Sequence, residues 1–353
     1  MKKREFKNIM VTGGSGFIGS NFILYLFEQN ISANIINVDK LTYAGNPENL
    51  RAIETADNYY FYQTDICNAE ELEKIFIKHN IDCIVHFAAE SHVDRSIHGP
   101  KDFIFTNIIG TFNLLELCRK NWAKDRCTLF HHVSTDEVYG SLEEEGYFYE
   151  DTRYDPRSPY SASKAASDHL VSAYFHTYNL TITMSNCSNN YGRYQFPEKL
   201  IPLMILNIKE NKPLPVYGKG DNIRDWLYVY DHCSAILKII ESGSIGESYN
   251  IGGENEWENI VLVKKICSIM DEILPGKDIF ENLIEYVTDR PGHDKRYAIN
   301  CDKIKNELSW KQSVDFELGL KMTIEWYLKN TEWIENIQSG AYKNWIKLNY
   351  NDR

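Results

Sequence analysis

Five side chains between Thr135 and Lys164 carry groups that could act together: the Thr135 hydroxyl, the Asp136 and Glu137 carboxyls, the Tyr160 phenol and the Lys164 ammonium. Tyr160 and Lys164 are four residues apart at the start of an expected helix, so they share a face. An ammonium beside a phenol favours the phenolate and lowers its pKa, and a cationic ring bound nearby would push the same way. Such a tyrosine can take the proton from an alcohol while hydride leaves the same carbon. Asp136 and Glu137 follow the apolar run Leu129-Phe130-His131-His132-Val133, beside the hydroxyls of Ser134 and Thr135, which can bind a substrate oxygen. A neutral acid next to an ionised base suits an elimination: one protonates the leaving hydroxyl, the other removes a carbon-bound proton. Taken singly, a Tyr-x-x-x-Lys is most often surface packing and an Asp-Glu pair is most often solvated. The surrounding elements decide the matter.

Those elements begin with the apolar strand Asn8-Ile9-Met10-Val11-Thr12. Gly13-x-x-Gly16-x-x-Gly19 follows and opens a helix whose apolar positions include Phe17, Ile18, Phe22, Leu24, Leu26 and Phe27. A second strand over 34–38 ends at Asp39, twenty residues beyond Gly19. Glycines at this spacing let the backbone turn tightly and approach a pyrophosphate at the helix N-terminus, and the acidic residue suits a ribose 2′-hydroxyl. Asp39 repels a 2′-phosphate, which favours NAD over NADP. Further strands are expected over 59–63, 83–87, 128–133 and 181–186, with helices over 69–79, 103–119 and 161–178. Polar or small residues close the strands at Asp65-Ile66 and Ala88-Ala89-Glu90-Ser91, where an open parallel sheet binds ligands. The pattern predicts an α/β fold with a doubly wound parallel Rossmann-type sheet, with residues 1–188 as an NAD-binding domain carrying the catalytic residues. After Asn189, Pro197, Pro202, Pro213 and Pro215 punctuate shorter elements. Residues 189–353 are expected to form a smaller α/β lobe, mainly binding substrate, with crossovers back to the first domain. An irregular acidic loop is expected over 141–159, and one helix over 316–337.

Composition narrows the partners. The 353 residues carry a net charge of −12, which speaks against nucleic acid, since phosphate backbones need a basic face. No apolar run is long enough for a membrane span, and no secretory stretch precedes the first strand, so a cytoplasmic enzyme is expected. Eight scattered cysteines form no Cys-x-x-Cys pair, and the ten histidines show no ligand spacing, so no metal is expected. His131 and His132 are adjacent on a strand and should face opposite ways. Lys199, Arg224, Arg290 and Arg296 are the basic candidates for a nucleotide diphosphate.

Taken together the motifs resemble the extended short-chain dehydrogenase/reductase superfamily and, within it, the dTDP-glucose 4,6-dehydratases. The likeness rests on Thr12-Gly-Gly-Ser-Gly-Phe-Ile-Gly19, Ala88-Ala-Glu-Ser-His-Val-Asp-Arg95, Ser134-Thr-Asp-Glu-Val-Tyr-Gly140, Tyr160-Ser-Ala-Ser-Lys164, Asn189-Asn-Tyr-Gly192, Gln195-Phe-Pro-Glu-Lys-Leu-Ile-Pro202 and Asp289-Arg-Pro-Gly-His-Asp294. The resemblance implies that NAD meets Gly13, Gly16, Phe17, Ile18, Gly19, Asp39, Lys40, Leu41, Thr42, Asp65, Ile66, Ala88, Ala89, Glu90, Ser91, Thr106, Tyr160, Lys164 and Asn190. It implies that a nucleotide sugar meets Ser91, Thr135, Asn189, Lys199, Leu200, Pro215, Val216, Tyr217, Arg224, Asn259, Arg290, Pro291, Gly292, His293 and Asp294. It also implies a homodimer, and oxidation of the glucosyl C4, loss of water across C5 and C6, and return of hydride to C6. L-rhamnose synthesis is the commonest destination for such a product. Arg193 departs from the family pattern, which commonly has proline there. Three other readings stay open at this point: a 4-epimerase, which needs no acid/base pair; a dehydratase for another nucleotide sugar; and a non-catalytic NAD-binding sensor.

Overall fold

The computed structural model describes residues 3–122, 127–275, 279–289 and 292–337. The first half alternates β1 (Asn8–Thr12), α1 (Phe17–Glu28), β2 (Asn34–Asp39), β3 (Tyr59–Gln63), α2 (Ala69–His79), β4 (Cys83–His86), α3 (Val93–His98), α4 (Pro100–Phe103), α5 (Thr111–Asn121), β5 (Leu129–Thr135), α6 (Pro159–Tyr178) and β6 (Ile182–Cys187). There follow β7 (Asn189–Tyr191), α7 (Leu200–Lys209), β8 (Leu214–Tyr217), β9 (Ile223–Tyr228), α8 (Val229–Ser242), β10 (Ser248–Ile251), β11 (Glu256–Glu258) and α9 (Asn259–Ile273). The chain closes with β12 (Ile284–Val287), α10 (Asp302–Leu308), α11 (Phe316–Lys329) and α12 (Thr331–Ile337).

Seven strands form one sheet in the order β10-β6-β5-β4-β1-β2-β3. Every pairing in it is parallel. β4, β5 and β6 are buried along their whole length, as expected for strands covered on both faces. The period of two sorts the side chains: Ile9 and Val11 pack with α1 and α8, whereas Met10 packs with α2, α5 and α6 on the other face. Each such aliphatic side chain, once buried, contributes about 1.5–3 kcal/mol. From β1 the strands run outward one way through β2 and β3, and the other way through β4, β5 and β6. The carboxyl ends of β1 and β4 therefore flank the crevice where this topology binds ligands.

A second core gathers α7, α9, α11 and α12 around the three-stranded sheet β11-β9-β7 and the parallel pair β12-β8. The chain also returns to the first sheet: β10 pairs with β6, and α8 shares the core of α1.

Three elements differ from the sequence expectation. The helix expected over 103–119 contains a π-helical stretch over 104–110. That widened turn puts the Asn107 amide across the loop after β4, accepting from Glu90 N at 2.8 Å and donating to Glu90 O at 3.0 Å and Ser163 Oγ at 2.8 Å. The single helix expected over 316–337 is two, α11 and α12, parted at Asn330. Finally, β5 runs two residues past Val133, so Thr135 ends the strand and a 3-10 turn, Asp136–Tyr139, begins at the acid pair.

Four histidines sit wholly inside: His86, His131, His132 and His232. Burial holds all four imidazoles below their ordinary value, His131 and His232 to about 3, His132 to about 4 and His86 well below it. The unfolded chain takes up these protons near 6.5 and the folded chain does not. Their stabilising share is thus complete above that pH and is lost as pH falls toward the folded values. Each histidine removes about 1.4 kcal/mol per pH unit in that window. The urea midpoint should drop steeply between about pH 7 and pH 5. Equal midpoints at the two values would contradict this assignment.

Candidate active site

The turn after β1 is shaped by close backbone contacts. Gly13 has φ +71°, and a Cβ there would lie 2.6 Å from Ala88 N. One at Gly19 would lie 2.3 Å from Gly13 O, whereas at Gly16 the nearest atom is 3.3 Å away. The turn is thus pressed against the segment after β4 at Gly13 and folded tightly on itself at Gly19, with the least crowding at Gly16. Gly16 precedes α1 without a side-chain cap, which leaves the positive end of a 12-residue helix for an anion. At the end of β2, the Asp39 carboxylate accepts from Ser15 N at 3.0 Å and Leu41 N at 2.8 Å. Burial pushes Asp39 up against these two donors. Next to it Lys40 pairs with Asp65 at 2.7 Å. An uncapped helix N-terminus, with a carboxylate at the tip of the second strand, fits a dinucleotide with a free ribose hydroxyl.

This turn forms one end of a crevice of about 1600 Å³, counting its open mouth. All the residues predicted for the cofactor line it except Leu41, whose backbone instead holds Asp39. The crevice reaches Thr135, Asp136, Glu137, Tyr160 and Lys164 at its other end, so the structure brings the five chemistry-bearing side chains together.

Two elements position them. The end of β5 presents Thr135, whose hydroxyl accepts from Glu137 N and donates to Asp136 Oδ1, both at 3.3 Å. Helix α6 starts at a capping box in which Ser158 and Ser161 satisfy each other, and this fixes the first turn bearing Tyr160. Asp136 is 1% exposed, and its Oδ2 has no hydrogen-bond partner among the described residues. Burial, reinforced by the Glu137 charge, pushes it well above its ordinary value, which favours the protonated, neutral form.

The Tyr160 phenol differs from the sequence expectation. Burial, the Glu137 charge and the Cys187 thiol raise it well above its ordinary value, against a hydrogen bond with Thr135 that lowers it. Lys164 Nζ donates to Val133 O at 2.8 Å and lies 3.5 Å from His132 Nε2. Behind it, His132 Nε2 is 3.1 Å from Asp168 Oδ1, while Asp168 Oδ2 accepts from Ser134 at 2.7 Å and Tyr154 at 3.0 Å. The Ser134 hydroxyl is therefore committed to Asp168, whereas the Thr135 hydroxyl stays beside the acid pair. His131 turns the other way, toward Thr183 at 2.9 Å, as strand alternation predicts.

The residues predicted for the sugar nucleotide divide into two groups. Ser91, Thr135, Asn189 and Lys199 line the crevice. Leu200 starts α7, and Pro215, Val216 and Tyr217 lie on β8 in the second lobe. There the Arg224 guanidinium donates to the carbonyls of Ile223 at 2.7 Å and Asp294 at 2.9 Å and stacks 4.2 Å from the Tyr297 ring. Asn259 N donates to Asn222 O, and Asn222 in turn donates to Asp294 O. His293 faces Tyr217 at 6.1 Å and bonds Asp289. Gly292, with φ +65°, lies beside Arg157 O. Arg290 and Pro291 lie outside the described residues. Arg224 acts on Asp136, and Glu137 acts on Tyr297, through their charges, so this group stands opposite the acid pair. Arg296, another basic candidate, is spent on Glu256 at 2.6 Å.

The crevice also holds residues the sequence reading passed over: Tyr43, Gln195, Phe196 and Glu198. Glu198 is buried and pairs with Arg95 at 3.1 Å, and Arg95 stacks 3.6 Å from the Tyr43 ring. Glu198 and Arg95 each belong to a quoted motif, but nothing in the spacing joins residues 103 apart.

A parallel Rossmann-type sheet whose dinucleotide crevice ends at a Tyr-x-x-x-Lys pair defines a class, the NAD-dependent epimerases and dehydratases of the extended short-chain dehydrogenase type. A family model described as GDP-mannose 4,6 dehydratase matches residues 10–323. A dTDP-glucose 4,6-dehydratase of Shigella flexneri is 53% identical over 98% of this chain and 99% of its own. The structure of a Bacillus anthracis dTDP-glucose 4,6-dehydratase in complex with NAD superposes with a TM-score of 0.85 at 48% identity, covering 94% of this chain and 99% of that one. That of the Streptomyces venezuelae enzyme with NAD bound gives 0.87 at 42%, with the same coverage. The chain belongs to the dTDP-glucose 4,6-dehydratase family.

Proposed function

We propose that this protein converts dTDP-glucose to dTDP-4-keto-6-deoxyglucose and water, with NAD as a resident cofactor. The observation that carries the reading is Asp136, a buried carboxyl pushed toward its neutral form beside Glu137 at the end of the dinucleotide crevice. A 4-epimerase has no use for that pair. Gly13, Gly16 and Gly19, the start of α1 and Asp39 would hold the dinucleotide. Bound there, NAD would supply a hydride acceptor for the C4 hydrogen and, once reduced, a hydride donor for C6.

The chain's own groups move the protons. Tyr160 takes the proton of the 4-hydroxyl; Lys164, buried behind it, supplies the positive charge that this step favours. Thr135 binds a substrate oxygen. The C4 ketone acidifies the C5 proton, Glu137 removes it, and Asp136 protonates the departing 6-hydroxyl. Glu137 then returns a proton to C5. Arg224, Asn259 and the Tyr217–His293 face would take the nucleotide, together with Arg290 from sequence. Residues 1–188 would thus carry the chemistry and residues 189–353 most of the substrate contacts.

Incubation with dTDP-glucose should give a product lighter by one water. An isomer of unchanged mass would instead indicate epimerisation. GDP-mannose should be a poor substrate in the same assay. This is the direct check on the sugar nucleotide, because the family model carries that other sugar's name.

We also propose a homodimer in the cytoplasm. Among the described residues no helix is long and apolar enough to cross a membrane. The helical run from α3 to α5 exposes Ile97, Ile104, Phe105, Ile109 and Phe112, and an apolar face of that kind is suited to a second copy. Light scattering should give twice the chain mass, and Phe105→Glu with Ile109→Glu should give a monomer. A monomeric parent protein would end this part of the proposal.

A further inference from the structure

The loop after β2 is a thin wall. On one side Thr42, Tyr43, Ala44 and Gly45 line the dinucleotide crevice; on the other the same residues line a second cavity closed by Trp333, Asn336 and Ile337. A loop backed by a void lacks the packing that would hold it, so its position depends on what braces it. The braces come from α12, nearly three hundred residues away. Trp333 Nε1 donates to Asn49 Oδ1 at 2.7 Å, and Asn49 Nδ2 donates to Ser15 O at 3.1 Å. Ser15 O also accepts from Asn46 N at 2.9 Å, and Ser15 N donates to the Asp39 carboxylate. A single path of hydrogen bonds thus runs from α12 through Asn49 to the glycine turn and the ribose-facing acid. One turn later Asn336 donates to both oxygens of Glu48. Trp333 and Asn49 are buried, so this brace is shielded from water. The break at Asn330 lets α12 turn onto the loop, while Trp326 and Tyr194 hold Trp333 from behind at 4.9 and 5.9 Å.

We infer that Trp333 and Asn336 are positioning residues for the dinucleotide: α12 latches the loop over 40–49 against the crevice and sets how fast NAD leaves. The inference rests on the reading that NAD is the cofactor. It gives α12 a purpose in a redox-neutral cycle, where the cofactor is regenerated in place and need not exchange.

The test measures exchange of radiolabelled NAD from the full-length protein into excess unlabelled NAD, in wild type, Trp333→Phe, Asn336→Ala and Trp326→Phe. Trp333→Phe keeps the ring but loses the donor, and should release NAD about fivefold faster, in line with one buried hydrogen bond. Its KM for added NAD should rise by more than its kcat falls. Asn336→Ala should act the same way but less. Trp326→Phe disturbs the same aromatic cluster and leaves the Asn49 bond, so its release rate should stay near that of wild type. Release from Trp333→Phe at the wild-type rate overturns the inference, and so does equal acceleration by Trp326→Phe, which would mark general loosening. A wild type that retains no NAD would instead refute the cofactor reading itself.

Discussion

Glu137→Gln should stop the elimination while leaving the first oxidation possible. Glutamine keeps the size and shape of the side chain but cannot accept the C5 proton. Removing a positioned general base of this kind costs about 10²–10⁴ in rate, so turnover to product should fall by that factor. Oxidation at C4 uses Tyr160 instead, so a single turnover should still build the near-ultraviolet absorbance of reduced nicotinamide. It should then persist, because no C5–C6 alkene forms to take the hydrogen back. The substitution also removes a charge that raises both Asp136 and Tyr160. The Tyr160 phenol should therefore ionise at lower pH in the variant, and the onset of the absorbance should shift the same way. Unchanged water loss in Glu137→Gln would remove Glu137 from the mechanism.

Tyr160→Phe should fail one step earlier. With no phenol to take the 4-hydroxyl proton, neither the absorbance nor the product should appear, and kcat should drop by about 10²–10⁴. Binding should survive, because Tyr160 is one of many residues along a long crevice. The structure adds a condition to this prediction. Burial and Glu137 hold the phenol neutral, and the ammonium of Lys164 is turned to Val133 O. The cationic nicotinamide ring of bound NAD should add positive charge beside Tyr160, so its titration should move to lower pH when oxidised NAD is added. Tyrosinate absorbance measured with and without NAD reads this directly. An alkaline titration unmoved by NAD would contradict it.

The two variants separate the halves of the site, and the halves differed in how openly the sequence showed them. The glycine turn, Asp39 and the strand ends could be read because each is local: a strand, a turn and a helix in succession, with one acid at a fixed distance. The acid pair could be read because it follows an apolar strand, and both of its residues line the crevice. What escaped was set by side chains far apart in sequence. The Tyr160–Lys164 spacing could be read, but not that His132, Asp168 and the Val133 carbonyl gather around the ammonium. Only the folded sheet brings β5 behind α6 in that way. The π-helical stretch over 104–110 escaped because its cause is also tertiary: Asn107 reaches the loop after β4 and Ser163. Arg193 shows the same limit. The sequence marked it as a departure from the family pattern, and the structure gives it a partner, Asn21 on α1 at 2.8 Å. It therefore ties the start of the second lobe to the dinucleotide helix. In the second lobe, mixed strand pairing and frequent prolines erased the local signal. Arg224 could there be named only as one basic candidate among four, and Asn259 could be proposed only from resemblance.

The central claim is that one site performs oxidation, loss of water and return of the same hydrogen. It is tested most directly with dTDP-glucose deuterated at C4, the product being analysed by mass spectrometry and NMR. The account predicts loss of one water with the deuterium carried to C6 of the same sugar. A dehydrated product without deuterium at C6, or a C4-inverted sugar that has lost no water, would contradict it.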